Sequence, residues 1–458
     1  MTDPQPAPRA TLTLQDKGPF DLIIHGGTLL TPAGTEPGDI GVRSGMIAAI
    51  GDLATIDAGE RLDATGLHVL PGVIDSQVHF REPGMTHKED LASGSRAAVL
   101  GGVTTVFEMP NTNPLTTTAD ALADKVRLAH HRMHCDFAFY VGGTRENVEE
   151  IPDLERLPGS AGIKVFIGSS TGDLLLDDLE GLDAVIAKIS RRAAFHCEDE
   201  ARLEARKHLR REGDPTSHPL WRDPEAALIA TRNLVGLAMK HRKRVHVLHI
   251  STAEEMAYLQ HHRQWASVEV TPHHLTLDAD IAYAELGTRA QMNPPVRDTS
   301  HRDVIWQALA NGIVDVLGSD HAPHTLEEKA ATYPASPSGM TGVQTLVPIM
   351  LDHVNAGRLT LERFVDLTAH GPQRLFGLAG KGRIMRGYDA DLTLVDLAAD
   401  RTIRNEDVAS TCGWTPYDGR SVKGWPIATV VRGRTVMRDG ELIGEPIGEA
   451  ATFHEAGV

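Results

Sequence analysis

The stretch VIDSQVHFREPG, residues 73–84, begins like a buried strand and ends in a Pro-Gly turn, yet it carries Asp75, Gln77, His79 and Arg81 at every second position. Side chains alternate across a strand, so the spacing predicts Ile74, Val78 and Phe80 on one face and the four polar groups on the other. A polar face on so apolar a strand needs a ligand, a metal ion or water.

Working outward, short apolar runs alternate with helical stretches from residue 71 to 377. The runs are GVIDSQVHF, VTTVFEM, CDFAFYV, GIKVFIG, AAFHC, RVHVLHI, SVEVT and VDVLGS. Helical spacing over 90–101, 118–133, 223–241 and 302–311 separates several of them. Eight such alternations predict an α/β fold, a (β/α)8 TIM-like barrel, in which reacting groups sit where strands end. Residues 18–70 and 378–447 read instead as short strands broken by Gly and Asp turns. They predict one small β-sandwich module built from both chain ends. Residues 1–17, polar and rich in Pro, read as a flexible N-terminal tail, and 448–458 as a C-terminal tail.

Bulk composition narrows the function. The chain has 458 residues, 41% hydrophobic and 23% charged, and its net charge of -17 opposes a nucleic-acid footprint. Cys135, Cys197 and Cys412 show no paired spacing, which opposes a disulfide framework or a thiolate zinc site and fits the cytoplasm. There is no apolar run of about 18 residues, so no membrane span is expected.

The polar residues at the strand ends form a constellation: Gln77, His79 and Arg81 on the first strand, Lys164 on the fourth, His196 on the fifth, His249 on the sixth, Asp320 after the eighth. Lys164 is the most telling. An ammonium on the strand AGIKVFIG must snorkel, pair or lose its charge. A neutral amine there can add carbon dioxide and become a carbamate, an anionic oxygen ligand. His246 and His249 have an odd separation, which predicts opposite faces, with His249 inward and His246 outside or behind. His273 and His274 read as a loop pair supporting the site by hydrogen bonds. Asp320 in GSDHAPH can bind a metal and take a proton from water, with His324 close enough to meet substrate. Nitrogen and oxygen donors without thiolates fit zinc best, with manganese or cobalt left open.

HFREPG at 79–84, MPNTNP at 109–114, GIKVFIGSS at 162–170, EVTPHHL at 269–275, MNPP at 292–295 and GSDHAPH at 318–324 resemble, in order and spacing, the dihydroorotases of the amidohydrolase superfamily. The resemblance runs from about residue 20 to 445. It implies reversible, metal-dependent hydrolysis of (S)-dihydroorotate to N-carbamoyl-L-aspartate in pyrimidine biosynthesis. His79, Lys164, His196, His249 and Asp320 resemble the family's metal ligands, with Lys164 carboxylated and Asp320 also catalytic. Arg81, Asn111, Asn293 and His324 resemble its substrate-binding residues. A guanidinium at Arg81 suits the substrate carboxylate, whereas hydantoinase and allantoinase relatives act on neutral rings.

One position departs from the pattern. Gln77 stands where most members carry the first histidine of HxH, and an amide oxygen is a poorer zinc ligand or a water holder. One and two metal ions both stay open. The alternatives are a hydantoinase- or allantoinase-type enzyme, or a noncatalytic subunit scaffolding aspartate transcarbamoylase. The partners expected are dihydroorotate or carbamoyl aspartate, a second copy in a homodimer, and aspartate transcarbamoylase.

Overall fold

The computed structural model describes residues 19–169 and 174–454. The tail expected over 1–17 lies outside the described residues, as do the last four residues of the chain. The eight expected barrel strands are present: β1 Val73–Val78, β2 Val103–Glu108, β3 Asp136–Gly142, β4 Ser160–Phe166, β5 Ala193–His196, β6 Val245–Val247, β7 Ala266–Val270 and β8 Val316–Leu317. They pair in parallel in chain order. The return from β8 to β1 is made just past the strands, where His79 N donates to His321 O at 2.7 Å.

Chemistry at the strands explains the layers. Val106, Phe137, Ile163, Val165, Val247 and Val268 point outward into one core shared with the helices. Ile74, Phe107, Tyr140 and Leu248 fill the interior with Phe376. Burying each large apolar side chain stabilises the fold by about 1.5–3 kcal/mol. The helices are stopped and started by their ends. The longest, Pro224–His241, has Pro at its first position and Asp223 accepting from Ala226 N, and closes on Arg242 in the left-handed region.

The simple alternation expected along β1 does not hold throughout. Its register against β2 shifts between Asp75 and Val78. Ile74 therefore faces the barrel interior, while Val78 and Phe80 face the helices. Asp75 leaves the polar face altogether, its Oδ1 accepting from Ser319 N at 2.9 Å and from Gln77 N at 3.2 Å. An irregularity of this kind resets which side chains share a face, and a period-two reading cannot see it.

Both chain ends contribute to a nine-stranded sheet, largely antiparallel. Its core combines Leu22, Ile24 and Ile40 from the start of the chain with Leu392, Leu394 and Val430 from the end. The stretch expected to be a C-terminal tail is instead strapped down as far as His454. Phe137 N donates to Glu449 O at 3.0 Å, Ala451 N to Phe137 O at 2.7 Å and His454 N to Gly377 O at 2.8 Å. Phe453 lies 5.7 Å from the Phe107 ring. The segment's short length and small residues hide two apolar anchors, Ala451 and Phe453, that only the folded barrel can receive.

Where barrel and sheet meet, three carboxylates crowd together: Asp136, Asp389 and Asp391. The cation that meets all three is Lys381, whose Nζ lies 2.6 Å from Asp136, 2.6 Å from Asp391 and 3.1 Å from Asp389, and Arg432 pairs with Asp136 as well. Burial opposes the ammonium, but the three carboxylates outweigh it and push its pKa well up.

Candidate active site at the strand ends

The residues singled out in the sequence converge. Gln77, His79, Arg81, Asn111, His196, His249, Asn293 and Asp320 line one small cavity with Phe166 and Gly339. Lys164 lies fully buried, its Nζ without a hydrogen-bond partner and 4.3 Å from the Phe166 ring centroid. His324 does not reach the cavity wall. It is fully buried behind Arg81, its Nε2 3.3 Å from Arg81 Nη2.

Backbone strain helps aim these groups. Among the described residues eight other than glycine have positive φ, and three are Arg81 at 65°, His249 at 37° and Asp320 at 48°. Each such conformation costs on the order of 1–3 kcal/mol and persists where surrounding structure enforces it. The turn at His249 also corrects the expected opposition of His246 and His249. Strand β6 ends at Val247, and both imidazoles are buried at different depths. His246 sits below the cavity beside Ser267 Oγ at 2.8 Å and Glu269 Oε2 at 3.4 Å.

Hydrogen bonds settle which nitrogens are free. His79 Nδ1 lies 2.8 Å from Asn111 Oδ1 and donates to it, so its Nε2 carries a lone pair facing Asp320 Oδ1 at 3.3 Å. His196 Nε2 lies 3.0 Å from Glu198 Oε2, leaving the lone pair of Nδ1 toward His249 Nε2 at 3.1 Å. Burial would raise the pKa of Glu198, but Arg222 and His196 hold it down to about 2, so it accepts only. Burial keeps His79, His196 and His249 below the usual imidazole pKa, in the neutral form that binds metals.

Gln77 Nε2 donates to Asp320 Oδ1 at 2.9 Å, while its Oε1 is buried without a donor. Burial pushes Asp320 up to about 7 against Lys164, His196 and Arg81. Burial likewise brings Lys164 down to about 7, with Asp320 opposing. The orphaned Lys164 amine, the unpartnered His249 Nδ1 and the facing acceptors of His79 and Asp320 are a donor set that a divalent cation satisfies.

His273 and His274, expected as a loop pair, lie instead on the short helix Pro272–Thr276. His274 Nε2 donates to Pro294 O at 3.1 Å, and His273 Nδ1 meets Tyr417 OH at 2.8 Å. Sequence reading overlooked Glu198, Arg222, Lys88 and His218. Glu198 was within reach, because it follows His196 by two residues and so shares its face. His218, whose Nε2 lies 3.0 Å from Asn293 Oδ1, gave no such signal.

The chain belongs to the amidohydrolase family, whose model matches residues 68–436. It is a cyclic amidohydrolase within a family that is generally metal-dependent. The dihydroorotase of Methanothermobacter thermautotrophicus is 37% identical over 410 residues, 88% of this chain and 92% of that protein. The allantoinase of Rubrobacter xylanophilus is 36% identical over 447 residues, 94% of this chain and 97% of that protein. The L-hydantoinase structure from Arthrobacter aurescens has a TM-score of 0.89 at 31% identity, covering 94% of this chain and 100% of its own. Among the described residues no helix is long and apolar enough to cross a membrane.

Proposed function

We propose that this cyclic amidohydrolase is a dihydroorotase, interconverting (S)-dihydroorotate and N-carbamoyl-L-aspartate for cytoplasmic pyrimidine synthesis. The barrel over 71–377 carries the chemistry, and the sheet from 18–70 and 378–447 is its supporting module. Arg81 is the observation that carries this reading. It is buried in the cavity wall, Nε donates to Pro323 O at 3.2 Å, and Nη1 has no partner. A buried guanidinium with an open terminal nitrogen calls for an anion, and among the candidate rings only the acidic one brings a carboxylate.

Lys164 in its carbamate form, His196 and His249 would hold one zinc ion, or manganese or cobalt in its place, with His79 and Asp320 beside them. Gln77 turns its N–H toward Asp320, which disfavours a second ion there and supports a one-metal centre. Bound zinc supplies Lewis acidity toward the ring carbonyl and lowers the pKa of water. Asp320, its Oδ1 held by Gln77, takes a proton from the attacking water and delivers it to the ring nitrogen as the C–N bond breaks. Arg81 grips the carboxylate. His218 donates to Asn293 Oδ1, which leaves the Asn293 amide N–H groups for the ring, and Asn111 lines the same wall.

Purified protein with measured metal content, assayed on dihydroorotate, hydantoin and allantoin, tests the proposal. Turnover of the acidic ring, lost in Arg81→Met with metal retained, is expected. Preference for a neutral ring would make it a hydantoinase- or allantoinase-type enzyme. No turnover after zinc or manganese reconstitution would favour a noncatalytic partner of aspartate transcarbamoylase. Sedimentation of the same sample tests for the homodimer.

A further inference from the structure

Behind Arg81 lies a group of side chains that the reaction does not use directly. Lys88 Nζ is 3.2 Å from His324 Nδ1 and 3.0 Å from Glu328 Oε1. Thr325 N donates to Glu328 Oε2 at 3.1 Å, which fixes the carboxylate that orients Lys88. On the other side of the ring, His324 Nε2 is 3.1 Å from Ser338 O and 3.3 Å from Arg81 Nη2.

These neighbours decide where the ring proton sits. An ammonium can only donate, so Nδ1 facing Lys88 must offer its lone pair. A carbonyl oxygen can only accept, so Nε2 facing Ser338 must carry the proton. Both sides assign the same tautomer independently. Glu328 Oε2 also approaches Nδ1, but at 3.5 Å, farther than Lys88. A doubly protonated ring is excluded because burial, with Arg81 and Lys88 adding to it against Glu328, lowers the His324 pKa to about 3.

The consequence falls on Arg81. With a proton on His324 Nε2, Arg81 Nη2 finds no acceptor there, and Nη1 has none elsewhere. Were the proton on Nδ1, Nε2 would accept from Nη2 and tie the guanidinium to the protein. We propose that Lys88 is a positioning residue for acidic substrates: by donating to His324 Nδ1 it sets the ring tautomer and leaves both terminal nitrogens of Arg81 open for a substrate carboxylate. This rests on the dihydroorotase reading for the identity of the carboxylate, though not for the tautomer.

The test has two arms on the full-length metal-loaded protein. Histidine-selective 15N NMR, with His324 assigned by loss of its signals in His324→Gln, should show Nε2–H in the native protein and a shift toward the other tautomer in Lys88→Met. In kinetics, Lys88→Met should raise KM for dihydroorotate about 10- to 100-fold, the range for one charge-assisted hydrogen bond, with kcat changed less than about threefold. Lys88→Arg, which keeps a cationic donor, should restore both signals and KM. An Nδ1–H tautomer in the native protein, or a Lys88→Met variant with unchanged signals and KM, overturns the proposal. If dihydroorotate is not turned over at all, the functional reading fails while the NMR arm still decides the tautomer.

Discussion

Lys164 in the barrel mouth and Lys381 at the junction with the end sheet are both buried, and they have opposite surroundings. Lys381 is ringed by Asp136, Asp389 and Asp391 and keeps its charge more firmly than a lysine in water. Lys164 has only an aromatic face and a hydrogen-bond vacancy, and burial brings its pKa down to about 7. A satisfied buried charge is structural, whereas an unsatisfied one is held ready for something the protein must acquire. The same distinction separates the acidic cluster at the junction, which resembles a cation site but already contains its cation, from the histidines and Asp320 at the mouth.

Exchanging the two lysines for neutral residues should break this comparison in different observables. Lys164→Ala should lower turnover on the order of 10³-fold or more and reduce bound metal, with thermal unfolding little changed. Lys381→Met should leave Asp391 without a counter-charge, while Asp136 keeps Arg432, and cost about 3–5 kcal/mol in denaturant titrations, with the folded enzyme keeping its turnover. If Lys381→Met instead lost metal with its stability intact, the junction would be the metal centre and the comparison would invert.

A smaller effect sharpens the mouth itself. Glu198→Gln removes the ionised acceptor that fixes His196, and metal affinity should fall about 10- to 100-fold by competition with a chelator. The mildest test uses a third buried lysine. Lys329 donates to Gln291 O at 3.1 Å and Pro337 O at 2.8 Å, has no carboxylate partner, and burial lowers it to about 7. Its folded pKa lies below the unfolded value, so the unfolded chain binds more protons between about 7 and 10.5 and stability should rise with pH across that window. The slope for one proton is at most about 1.4 kcal/mol per pH unit, and Lys329→Met should remove that contribution.

Much of this architecture was legible beforehand because burial and period are local properties. The apolar runs named all eight strands, the polar residues at their ends named Gln77, His79, Arg81, His196, His249 and Asp320 of the cavity lining, and the family resemblance added Asn111 and Asn293, while Phe166, Ala322, Ser338 and Gly339 were not foreseen. The failures share a cause. Asp75 was assigned to the polar face because alternation was carried through an irregular register. His246 was left as outside or behind the site, and its place below the cavity is set by contacts with Ser267 and Glu269 that alternation does not encode. His324 was expected at the substrate and lies behind the cavity lining, against Arg81, because a loop residue's depth is set by what packs over it, here Gly339 and Ser338.

The order of strands and the kinds of donor available were determined by the sequence alone, since each follows from residue type and local spacing. Which imidazole nitrogen is free, which lysine keeps its proton and which carboxylate is already paired were decided only by tertiary structure. Those properties depend on contacts such as Gln77 with Asp320, 243 positions apart in the chain. Hydrogen-bond direction and desolvation are set by neighbours in space, and no local pattern encodes them.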